Sequence, residues 1–84
     1  MYNLYILKSR VDLGYYIGIT DDVDKRIKEH NLGKTKSIKH RIPFDVMSIE
    51  KYNTKSEARK RELLLKTNYK MRKGLLLNLG FDIK

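Results

Sequence analysis

Two short runs of alternating side chains, separated by a gap that allows little more than a turn, decide most of what this chain can be. In Tyr2 to Lys8, the residues Tyr2, Leu4 and Ile6 point one way and Asn3, Tyr5 and Leu7 the other, which is the period of two that a strand requires. Ser9 to Leu13 is polar enough to turn. Gly14 to Thr20 then resumes the pattern, with Tyr16, Gly18 and Thr20 on one face and Tyr15, Ile17 and Ile19 on the other. Rich in Tyr and Ile, the two runs read as an antiparallel hairpin. Gly18 costs its strand stability, so something is expected to approach the backbone there.

The segment after the hairpin reads as a helix from about Val23 to Leu32, opened by Asp21 or Asp22 as N-cap and stopped by Gly33. Val23 and Ile27 should face the core. Arg26 and His30, also four apart, project beside them rather than opposite, because each residue turns the helix by about 100°. Lys34 to Ile42 is a basic loop carrying Lys34, Lys36, Lys39, His40 and Arg41, with little apolar content. Pro43 then admits a third strand, Phe44 to Tyr52. Thr54 and Glu57 have the spacing of a capping box and open a second helix that runs to about Lys66. Ala58, Glu62 and Leu65 fall on one side of it, so a carboxylate stands among core-facing residues and needs a cation or a metal as partner. Asn68 to Leu77 reads as a third, short helix with Met71, Leu75 and Leu76 inward, ended near Asn78 and Gly80.

The order is β-β-α-β-α-α, an α+β class: a small three-stranded antiparallel sheet flanked by about three helices. At 84 residues, 1–84 is expected to be a single domain, since two cores would each bury too little. Cysteine is absent, which removes disulfides and thiolate metal sites and suits a reducing compartment. No signal peptide and no apolar run of membrane-spanning length is legible, so a cytoplasmic location is expected. The net charge of +9 is large for so small a body. It points to an acidic polymer, because every phosphate neutralised by Lys or Arg releases counterions. No helix joins a basic face to a broad aromatic one, so an anionic membrane is the weaker partner.

Cleaving a phosphodiester needs a base near the attacking water, a cation facing the developing charge and often a metal held by a carboxylate. Tyr5 and Tyr16 offer phenols, Arg26 a fixed guanidinium, His30 a proton carrier and Glu62 a hard oxygen ligand suited to Mg²⁺. Each residue also has an ordinary structural role. Strand tyrosines pack, Arg26 can lay its stem along the core edge, His30 can favour the helix dipole, and Glu62 can pair with Arg59.

Taken together, the set resembles the GIY-YIG nuclease superfamily. The first motif stands as Leu4-Tyr5-Ile6, without the family's glycine, and the second as Tyr16-Ile17-Gly18. Ile19-Thr20 and DKRIKEHNLGK follow, and the similarity continues through IPFDVMSIEKY and SEARKRELLLK over nearly the whole chain. It is nearest to small single-domain members related to the nuclease subunit of bacterial excision repair. The resemblance implies DNA as substrate, in repair or a related role, and one divalent ion, Mg²⁺ or Mn²⁺, held by Glu62. It implies that one of the two phenols, Tyr5 by preference but exchangeable with Tyr16, activates water while the other places the phosphate, that Arg26 stabilises the pentavalent phosphate and that His30 assists the water or the base's proton. Gly18 would leave room for the DNA backbone, and Lys34, Lys36, Lys39 and Arg41 would touch it non-specifically. A rival reading is a binding module of the same fold that reacts weakly or not at all. Another is a basic subunit of a larger ribonucleoprotein, supported by charge alone.

Overall fold

The computed structural model of the chain describes residues 1–82. The expected order is found: β1 (Tyr2–Ser9), β2 (Tyr15–Thr20), α1 (Val23–Asn31), β3 (Phe44–Tyr52), α2 (Lys55–Thr67) and α3 (Tyr69–Asn78), with a short 3₁₀ turn at Lys39–Arg41. The sheet is antiparallel in the order β2-β1-β3, which leaves β2 and β3 as edges.

The alternation seen in the sequence sorts β1 onto two layers. Leu4 and Ile6 point to one side and pack, with Ile17, against Leu65, Leu76 and Phe81 from the α2–α3 layer. Tyr5 and Leu7 point to the other and pack with Ile38 and Phe44 beneath α1. Each fully covered aliphatic side chain contributes about 1.5–3 kcal/mol. A one-residue slip of β1 would exchange the two layers, which is why its register is strongly specified.

Irregularity enters at β3. Ile6 pairs with Ser48 but Leu7 pairs with Val46, so Met47 is an extra residue opposite β1. Such a bulge reverses the alternation beyond it. Phe44 therefore falls on the α1 side with Ser9 and Leu7, where it joins the core, while Met47 packs toward α2 and α3.

Helix ends follow their caps. Asp22 accepts from Lys25 N at 3.1 Å, Thr54 from Glu57 N at 3.2 Å and Asn68 from Met71 N at 3.1 Å. In the expected capping box, the Glu57 carboxylate accepts the Thr54 hydroxyl at 3.1 Å. Gly33, at φ +78°, turns the chain out of α1 in a conformation that favours glycine.

One side-chain expectation is corrected and two are refined. Met71 is exposed, because Met71, Leu75 and Leu76 span about 140° of helix and α3 presents Leu76 to the core. Val23 and Ile27 are half-buried, with Ile27 packed against the core as expected, and His30 is the fully buried residue of α1. The loop after α1 is not purely a solvated basic segment: Ile38 is buried and Ile42 packs beside it.

Candidate functional site

Tyr5 and Gly18 are direct partners across the β1–β2 ladder, and Tyr16 sits opposite Leu7, one pair along on the same face. The two phenols therefore share the α1 side of the sheet, with ring centroids 6.2 Å apart. The space above Gly18 is filled from within the chain. A Cβ placed there would lie 2.6 Å from Tyr5 Cζ and 3.1 Å from Cε1. The approach to the backbone expected at this glycine is thus made by the Tyr5 phenol, which crosses β2 where no side chain stands.

From above, α1 contributes His30. Its ring is 5.9 Å from that of Tyr5 and 5.2 Å, edge-on, from that of Tyr16, with Phe44 behind it at 6.5 Å. Both ring nitrogens are engaged: Nε2 lies 2.9 Å from Tyr5 Oη and Nδ1 lies 2.9 Å from Thr35 Oγ1. That satisfaction is what allows a histidine to be fully buried. Burial, then the neighbouring Arg26 charge, pushes the His30 pKa down, with Glu29 opposing. Burial, with Tyr16 next, raises the Tyr5 phenol to about 12. Arg26 acts on the same phenol in the opposite sense, and the Glu62 charge raises it slightly. Tyr5 and His30 are accordingly both neutral near pH 7. Arg26 stands close to Tyr5 and makes only a loose pair with Glu29, at 3.8 Å.

Glu62 comes from α2, on the other layer, and is 5 % exposed. The partner its burial demands is found twice over: Arg59 Nη1 lies 2.6 Å from Oε1 and Lys66 Nζ lies 3.2 Å from Oε2. Both cations are about half exposed.

Tyr5, Tyr16 and His30 are thus in one cluster, Arg26 borders it, and the charge of Glu62 reaches it. The loop cations divide. Lys34, Lys36 and Lys39 are exposed. Arg41 instead donates to Asp12 at 2.6 Å and to the Tyr15 carbonyl at 3.0 Å, bracing the β1–β2 turn against the loop. A groove of about 550 Å³ between α1 and β3 is lined by Val23, Ile27, Leu32, Val46 and Ile49, and none of the five candidate residues opens onto it. Thr35 is the site-lining residue that sequence reasoning missed; a lone Thr in a basic loop carries no periodic or capping signal.

The family model for the GIY-YIG catalytic domain matches residues 1–75. The chain belongs to the GIY-YIG family. Relatives of this GIY-YIG domain include the UPF0213 protein of Staphylococcus saprophyticus, 40 % identical over 78 residues that cover 92 % of this chain and 94 % of the relative. The UPF0213 protein of Listeria welshimeri is 46 % identical over 63 residues, 74 % of this chain and 69 % of the relative. The solution NMR structure of a UPF0213 protein from Bacillus halodurans superposes with a TM-score of 0.57 at 35 % identity, covering 96 % of this chain and 87 % of that one. GIY-YIG domains are nuclease domains, which implies a nucleic-acid substrate and a chemistry that generally uses a divalent metal. Among the described residues, no helix is long and apolar enough to cross a membrane.

The buried histidine of this GIY-YIG domain carries a pH consequence. Its folded pKa lies below the unfolded value of 6.5, so below that pH the unfolded chain binds a proton that the folded chain resists. Stability is therefore at its plateau above pH 6.5 and falls as the pH drops below that value toward the folded pKa. Asp12 and Asp45, held below the ordinary 3.8 by Arg41 and Arg10, act only in more acidic solution. Urea midpoints at pH 7.5 and 5.5 should differ in the parent, and the difference should shrink in His30→Gln.

Proposed function

We propose that this domain is a metal-dependent endonuclease that hydrolyses DNA phosphodiester bonds. The observation that carries the reading is the Tyr5 phenol held 2.9 Å from His30 Nε2, with Arg26 beside it and a buried carboxylate in electrostatic reach.

A neutral phenol can take a proton from water only if its own proton has somewhere to go. In this arrangement the Tyr5 proton passes to His30 Nε2 as Tyr5 Oη accepts one from the attacking water. The water oxygen bonds to phosphorus, the bond to the leaving oxygen breaks, and that oxygen is protonated from solvent. Arg26 faces the charge that develops on the phosphoryl oxygens, and Tyr16 positions the phosphate. Lys34, Lys36 and Lys39 contact the DNA backbone without reading sequence.

For the metal, the donor set decides the fit. Among the described residues there is no group of three His, Asp, Glu or Cys side chains able to hold an ion. A single buried carboxylate suits Mg²⁺ or Mn²⁺, since Mg²⁺ keeps several waters and shares phosphate oxygens. Glu62 would hold it, and when bound it would supply charge neutralisation beside the leaving oxygen. Arg59 and Lys66 are exposed enough to swing away.

A plasmid nicking assay tests the proposal: the parent should convert supercoiled to open-circular DNA with Mg²⁺ or Mn²⁺ and stop on chelation. Tyr5→Phe should lower the rate roughly 10²-fold, the scale of one acid–base group. Nicking that is indifferent to both chelation and Tyr5→Phe removes the site. The occupation of both Glu62 oxygens by cations also favours a second reading, a nucleic-acid-binding module that does not react. That module would bind DNA with a steep salt dependence and no need for a divalent ion.

A further inference from the structure

Thr35 lies outside every motif, yet it is the residue on which the buried histidine ends. It follows the end of α1 by four residues, so no helical spacing brings it to His30. The chain returns because Gly33 N–H donates to His30 O at 3.0 Å and Lys34 N–H to Glu29 O at 3.1 Å. Beyond it, the N–H of buried Ile38 donates to the Thr35 carbonyl at 3.2 Å. The hydroxyl is thereby held 2.9 Å from His30 Nδ1.

The direction of each hydrogen bond follows from what the groups can do. A protonated phenol must donate its one hydrogen, and His30 Nε2 is the acceptor that lies at hydrogen-bond distance from Tyr5 Oη. Of the other polar groups that act on this phenol, Arg26 only donates, and the Tyr5 hydroxyl has its side-chain hydrogen bond with His30 rather than with Tyr16 or Glu62. Nε2 must then carry the lone pair. In a neutral imidazole that leaves the hydrogen on Nδ1, facing a hydroxyl that can accept it. The rings and charges around His30 are Tyr5, Tyr16 and Phe44 from the sheet and Arg26 and Glu29 from its own helix. None of them is hydrogen-bonded to Nδ1.

We propose that Thr35 is a positioning residue: by accepting the Nδ1–H it locks the imidazole in the tautomer whose Nε2 lone pair receives the Tyr5 proton. With no acceptor at Nδ1, the other tautomer becomes the better one. The imidazole then donates to Tyr5 Oη and the phenol has no base to release its proton to. The proposal rests on Tyr5 and His30 acting as the proton relay, but the tautomer can be read without any reaction.

The test uses the full chain, ¹⁵N-labelled at histidine, with Thr35→Val removing only the hydroxyl function and Thr35→Ser restoring it. In the parent and in Thr35→Ser, His30 should show a protonated, pyrrole-type Nδ1 and an unprotonated, pyridine-type Nε2. Thr35→Val should populate the reverse pattern. In steady-state nicking, Thr35→Val should lower kcat about tenfold or more with KM within roughly twofold, and Thr35→Ser should recover most of the rate. A pyridine-type Nδ1 in the parent, or an unchanged tautomer in Thr35→Val, overturns the proposal. So does a kcat for Thr35→Val equal to the parent's. A parent that shows the expected tautomer but cuts nothing overturns the nuclease reading and leaves the hydrogen-bond assignment upheld.

Discussion

Glu62→Gln is expected to lower metal-dependent cleavage on the order of 10³-fold, the scale of removing one preorganised charge from a site of developing charge, while leaving the fold almost unchanged. The amide has the shape of the carboxylate and lacks the charge a divalent ion needs. Stability should hold because the pairs that are lost tie Glu62 to Arg59 and Lys66, whose side chains are 56 % and 50 % exposed and return to water easily. Ion pairs of that kind contribute little, and a buried charge is removed at the same time. Thermal unfolding should therefore shift by no more than about 3 °C. The two measurements together separate chemistry from folding: cleavage near the parental rate in Glu62→Gln excludes the carboxylate as metal holder. A collapse of stability would instead make it a structural group.

Gly18→Ala should have the reverse signature, a large loss of stability that brings loss of activity with it. The new Cβ would stand 2.6 Å from Tyr5 Cζ, and real Cβ atoms do not sit that close to a neighbouring carbon. Tyr5 is 1 % exposed and its hydroxyl is tied to His30, so the ring cannot shift without disturbing its packing and that hydrogen bond. Overpacking of this kind costs about 1–3 kcal/mol, and the rigid surroundings place this site at the upper end. For a chain of this size that corresponds to a fall in Tm of about 10 °C or more. Tyr5→Leu in the Gly18→Ala background should recover part of the loss, because the shorter side chain clears the new methyl. A purely additive double variant would show that the glycine serves some other need.

Much of the site was legible before any fold was known, and particular residues show why. Alternation put Tyr5 with Leu7 on one face of the first strand and Tyr16 with Gly18 on one face of the second, because pleating fixes which residues of a strand share a side; that the two faces coincide followed from the resemblance and is seen in the register of the ladder. Helical spacing put Glu62 among Ala58 and Leu65, and all three are buried. Capping chemistry narrowed the start of α1 to Asp21 or Asp22, of which Asp22 is the cap, and found Thr54. The same rules misjudged Met71, since a stripe about 140° wide does not say which of its edges will meet the core. Nor could they tell Arg41 from the other loop cations, because a run of cations looks alike whether its members face solvent or an aspartate on another turn.

The local periods of the sequence determined by themselves where the strands and helices lie, which side chains of one element share a face, and that one carboxylate would be buried and in need of a cation or a metal. These are properties of residues within a few positions of each other, and backbone geometry enforces them wherever the element forms. Docking decided the rest: the bulge at Met47 that turns Phe44 beneath His30, the capture of Arg41 by Asp12, the phenol lying across Gly18 and the hydroxyl of Thr35 on Nδ1. Those contacts depend on the angle and register at which separate elements pack, and that is settled by the fit of the whole core.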